Sequence, residues 1–195
     1  MDILKLCLEK NVSKAAKIPV ASLTFMPELR QMCEQNACGR FGQNYCCPPH
    51  VGDVEALIEK LRTFDEVVIW QNVYPLEDSF DFEGMMDAQK QHNDMTLELA
   101  RIIYGELGRD KALVLAAGGC GICNSCAVIT NEPCRNPAEA LSSLEAYGIH
   151  VAKIGEVSEL KYINGKDTVT YFSGAFVMAE GVEGQMSYES VSLRA

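Results

Sequence analysis

Residues Gly118–Pro137 read GGCGICNSCAVITNEPCRNP and follow directly on Lys111–Ala117, KALVLAA. The apolar heptapeptide reads as a strand. The run leaving its carboxyl end sets Cys120, Cys123, Cys126 and Cys134 at C-x2-C-x2-C-x7-C. Three cysteines at intervals of three let a tight loop turn all three thiolates toward one centre. Gly118, Gly119 and Gly121 supply the positive-φ positions and close backbone approach that such a loop needs. In α/β sheets ligands sit beyond the carboxyl ends of the strands, and this loop falls there.

The spacing points to metal chemistry. C-x2-C-x2-C with a more distant cysteine is the arrangement of cubane iron–sulfur binding in bacterial ferredoxins, where the fourth cysteine can serve another cluster. A zinc site more usually pairs two C-x2-C halves across a longer gap. An iron–sulfur cluster is the first reading and structural zinc the second. Four buried, unliganded thiols are the third.

The surrounding chain alternates helical and extended patterns. Upstream, residues 2–16 read as a helix capped by Asp2, with Cys7 packed on its apolar face as a core residue. Ile18–Phe25 reads as a short strand, and Asp53–Thr63 as an amphipathic helix with Asp53 as cap. Glu66–Trp70, EVVIW, has the continuous apolarity of a strand covered on both faces. Tyr74–Glu83 reads as an acidic loop, and Met85–Leu107 as a long helix closed by Gly108. Downstream, Asn136, Pro137 and Glu139 have the order of N-cap, N1 and capping box, with Gly148 as stop. Ile149–Ile154 reads as a strand, Asn164–Gly165 as a hairpin turn, Thr168–Ala179 as a long strand and the last dozen residues as a solvated tail. The pattern predicts one α/β domain over residues 1–195, with a mostly parallel or mixed sheet flanked by helices and cysteine-rich loops at one edge.

A second cysteine group lies at CEQNACGRFGQNYCCPP, with Cys33, Cys38, Cys46 and Cys47. Cys46 and Cys47 are adjacent, and neighbouring side chains of an extended segment point to opposite sides. Both therefore do not bind one metal. Cys47, held against Pro48 and Pro49, is the better ligand; Cys46 is a spare or the ligand of something else.

Bulk composition bounds the function. The 195 residues are 48% hydrophobic and 23% charged, enough for a packed core without cross-links. The N-terminus lacks signal-peptide organisation and no apolar run reaches a membrane span, so a cytoplasmic protein is expected. In a reducing compartment nine cysteines argue for metal ligation over disulfides. The net charge of −10 disfavours nucleic acid and suits a basic partner face. No P-loop, G-x-S-x-G or G-x-G-x-x-G motif is present.

With both groups quoted, the chain resembles DUF2284, a prokaryotic family of predicted metal-binding proteins. The resemblance rests on Cys33, Cys38, Gly39, Phe41, Gly42, Asn44, Cys47, Pro48 and Pro49, and on Cys120, Cys123, Cys126, Cys134, Arg135 and Pro137. It covers most of the chain. It implies that Cys33, Cys38 and Cys47 join the Cys120 group as metal ligands, and it leaves Cys46 as an addition particular to this sequence. It is similar in flavour to anaerobic iron–sulfur proteins and implies no substrate.

Seven ligand candidates do not divide into two four-cysteine sites. Either Cys134 completes the Cys120 group and the Cys33 group keeps an open position, or Cys134 crosses over and the Cys120 group does. Cys46 or His50 can fill the gap; His92 and His150 read as structural. Arg40 and Arg135 flank the groups as cations for an anionic cluster or substrate, or as ordinary surface charges. The expectation is two [4Fe–4S]-type clusters serving electron transfer or reductive activation with a redox partner protein, a possible iron–sulfur oxidoreductase. The alternatives are an enzyme using an open iron on a small anionic substrate, and a zinc-stabilised interaction domain.

Overall fold

Along Glu66–Pro75 (β2) the side chains alternate between two buried layers: Val67 and Ile69 enter one apolar cluster, Val68 and Trp70 the other. Both faces of this strand are covered, as its unbroken apolarity requires. The computed structural model describes residues 1–179, and the tail read at the extreme C-terminus lies outside them. Four strands form one sheet in the order β1-β2-β4-β3, with β1 at Lys14–Pro19, β3 at Ala112–Leu115 and β4 at Thr168–Val177. One face packs under Ile3–Glu9 (α1) and Phe82–Leu107 (α4), through Cys7, Leu99, Ala100 and Ile103. The other packs under Val54–Arg62 (α3) and the 144–160 segment, through Leu61, Leu144, Ile149 and Ile154. A sheet between helices is the α/β class expected.

All three strand pairings are antiparallel, so the parallel alternative within that class is not the one used. Helix α4 joins β2 to edge strand β3, and β4 inserts between them, antiparallel to both. The one parallel contact described is an isolated bridge between Ala116 and Ser143. Among the described residues no helix is long and apolar enough to cross a membrane.

The local departures from the sequence reading have visible causes. Asp2 caps α1 by accepting from Lys5 N–H at 3.0 Å, but the helix stops at Glu9 rather than residue 16. Asn11 turns the chain at φ 59°, a conformation its short polar side chain tolerates, and Ala15 and Ala16 pair with Trp70 and Ile69. Tertiary pairing outweighs alanine's helix preference. The helix expected after Asn136 is also absent. The Asn136 amide donates to Cys123 Sγ at 3.3 Å and Glu139 pairs with Arg101, so neither completes a capping box. Residues 142–144 instead bond to Ala116, and Ile149–Ile154 gives a bridge to Phe25 and a 3-10 turn, Val151–Glu156, rather than a strand. Asn164–Gly165 turns the chain, but only β4 follows and no strand precedes it, so there is no hairpin.

Between α4 and β4 lies a buried polar chain. Trp70 Nε1–H donates to Thr96 Oγ1 at 3.4 Å, Thr96 donates to Ser173 Oγ at 3.1 Å, and Ser173 Oγ stands 2.8 Å from His92 Nε2. His92 is fully buried, the structural role its place on the helix suggests.

Candidate metal centre

The loop that carries Cys120 is pinned at its root. Asn93 on α4 clasps Ala117 twice, donating to its carbonyl at 2.8 Å and accepting from its N–H at 3.2 Å. Gly118 then turns at φ 70°. At Gly119 a Cβ would stand 2.7 Å from Cys47 Sγ and 2.9 Å from Arg40 Cδ, so the bare backbone admits the second cysteine segment. Gly119→Ala is expected to push these apart, costing about 1–3 kcal/mol and lowering the metal held per chain. Melting temperature and metal analysis check it; wild-type values in both would show that the contact is dispensable.

Asn44 joins the two segments. Its amide donates to the Cys120 carbonyl at 2.7 Å, and its Oδ1 accepts from Cys46 N–H at 2.9 Å. Arg40 Nη1 donates to the same carbonyl at 3.3 Å, and Tyr45 O–H donates to the Glu132 carbonyl at 2.7 Å. Beyond Cys126 a 3-10 turn, Ala127–Thr130, and Asn131 at φ 53° swing the chain back to Cys134. Arg135 ties this arm down through the Ser125 carbonyl and Glu132.

The segments converge on a small cavity lined by five thiols, those of Cys46, Cys120, Cys123, Cys126 and Cys134, with Asn44, Arg135 and Asn136 among its other walls. Its volume is about 20 Å³, room for one water-sized body. Among the described residues no three Cys, His, Asp or Glu side chains close on a single-ion geometry. The donor set is nonetheless that of a thiolate-held metal, and a centre larger than one ion requires the half-exposed 120–134 loop to open. Cys134 lines this cavity together with the Cys120 group.

Cys33, Cys38 and Cys47 form the second set, each within electrostatic reach of the others. Arg30 lies three residues before Cys33 on the short helix Leu29–Glu34 (α2), on the same side of the turn. It donates to the carbonyls of Gly52 and Ala146. Its positive charge favours the Cys33 thiolate, against burial, which raises that thiol. Arg30 carries no motif of its own; its spacing from Cys33 is the signal that finds it. His50 is exposed, packs edge-on against Tyr45 at 5.8 Å and is not among the residues lining the cavity.

The thiols are not equivalent. A hydrogen bond from Cys46 draws Cys120 down to about 6, helped by backbone N–H groups and Arg40 and opposed by burial. The same bond, with burial, pushes Cys46 far up. Burial and the neighbouring Cys38 raise Cys47 to about 11, against Arg40. Cys7, raised to about 12 by burial alone, is a core residue as expected. None of the nine cysteines is in a disulfide.

The α/β sheet carries two cysteine-dense segments, and five cysteines line one cavity between them. The family model for predicted metal-binding protein (DUF2284) matches residues 16–177, and the chain belongs to that family. No curated protein and no solved structure matches it.

Proposed function

We propose that this is an iron–sulfur protein holding two [4Fe–4S]-type clusters, one on Cys120, Cys123, Cys126 and Cys134 and one on Cys33, Cys38 and Cys47, and that it passes electrons to or from a partner protein. The observation that carries this reading is a cavity lined by cysteines in C-x2-C-x2-C order, with Cys47 of the second group against Gly119. When bound, such clusters supply one-electron transfer and, where a position is open, Lewis acidity. The chain's own part is to present thiolates, to offset their charge with Arg30 and Arg40, and to brace the loop through Asn44 and Asn93. The three-thiol set has the open position and two guanidinium groups beside it, the place for a small anionic substrate. A second reading, zinc clamping an interaction module, rests on the cysteine donor set.

Iron, acid-labile sulfide and zinc per chain after oxygen-free purification, with an EPR spectrum of the reduced protein, test these readings. About eight iron and eight sulfide are expected, two four-iron cores. Zinc without sulfide would overturn the redox reading.

A further inference from the structure

Cys46 is left over when seven cysteines are divided between two sites, yet it is the most buried of the thiols around the cavity, 7% exposed. Its neighbour Cys47 faces Gly119, while Cys46, on a turn closed by Cys47 N–H donating to the Asn44 carbonyl at 3.0 Å, lines the cavity of the Cys120 loop. There it lines the same wall as Cys120 and lies beside Ser142. Asn44 holds both partners from behind, through Cys46 N–H and the Cys120 carbonyl. Cys120, Cys123 and Cys126 are fixed by the tight loop. The remaining position is contested by Cys46, from the buried wall, and Cys134, from the exposed arm beyond Asn131.

Resting on the reading that the Cys120 loop holds metal, we infer that Cys46 is a fifth thiolate donor to that centre, able to take the position of Cys134. Five thiols face a centre with four thiolate positions, whether one ion or one cluster. The exchange is proton-neutral. Cys46 gives up its S–H proton as its metal–sulfur bond forms, and the released Cys134 thiolate takes one up. The centre keeps four thiolates while the 131–135 arm, which Tyr45 and Arg135 hold at the surface, is freed to move.

The test uses full-length Cys134→Ala, Cys46→Ala, the double variant and Cys46→Ser/Cys134→Ala. Each is reconstituted without oxygen with ferrous iron and sulfide, and separately titrated with cobalt(II), whose sulfur-to-metal charge-transfer band grows with the number of thiolates bound. Each single alanine variant is expected to keep more metal and a higher band than either double variant. Both double variants, left with Cys120, Cys123 and Cys126, should fall below Cys134→Ala in metal content and band height, toward the floor that Cys123→Ala/Cys126→Ala sets. Retention by Cys46→Ser/Cys134→Ala would mean that Cys46 acts by packing and hydrogen bonding, and overturns the inference. So does a Cys134→Ala protein that loses as much metal as the double variants. A wild-type chain that takes up neither iron nor cobalt overturns the metal reading itself, and the exchange with it. Circular dichroism of each variant separates ligand loss from unfolding.

Discussion

Asn44→Ala is expected to lose about 2–4 kcal/mol of stability and most of its bound metal, because each buried backbone group left unpaired costs about 1–3 kcal/mol. Asn44 is 4% exposed and serves two groups at once. Alanine strands the Cys46 N–H and leaves the Cys120 carbonyl with only the longer contact to Arg40. Those two residues lie on the two cysteine segments and line the same cavity, so the loss also frees one segment from the other. Urea denaturation and metal content per chain measure both effects. A variant with the wild-type midpoint and full metal would show that Arg40 and Tyr45 suffice to hold the segments together.

Acidification is expected to destabilise the fold through His92 before most carboxylates protonate. Burial lowers its imidazole from 6.5 to about 3, with the Phe172 backbone pulling weakly the other way. The groups packed around it are Ser173, Thr96 and the Tyr171 ring, none of them an anion that would hold an imidazolium. Between pH 6.5 and about 3 the unfolded chain therefore binds a proton that the folded chain refuses. Stability contributed by the neutral ring is complete above pH 6.5 and falls as pH drops, by about 1.4 kcal/mol per unit. Between pH 7 and pH 4 the loss is about 3 kcal/mol. His92→Gln, whose amide reaches Ser173 without a titrating ring, should flatten this part of the pH–stability curve. Parallel curves for the two proteins between pH 6.5 and 4.5 would sink the assignment.

The sequence is most legible where chemistry depends on short spacing. C-x2-C-x2-C forces Cys120, Cys123 and Cys126 to one centre because a glycine-rich loop leaves few other paths, and the structure turns all three into one cavity. Asp2 and Asp53 cap their helices as read, since a cap needs only the residues within one turn. Asn136 and Glu139 carry the same kind of local signal and fail it. Cys123 and Arg101, distant partners no local pattern announces, claim their side chains. Cys46 shows the same limit: the reading that separates it from Cys47 assumes an extended segment, the chain turns there instead, and only the folded arrangement places Cys46 at the cavity.

The amino-acid order by itself determined the alternating apolar runs of a sheet buried on both faces, the α/β class, and the cysteine loop at the end of β3, because periodicity and spacing act over a few residues. The tertiary structure alone decided that every strand pairing is antiparallel, that Cys46 and Cys134 line the cavity of the Cys120 loop, and that Asn44 and Asn93 brace that loop. Those outcomes depend on which distant backbone groups and charges meet when β4 inserts between β2 and β3. Such contacts leave no trace in local pattern.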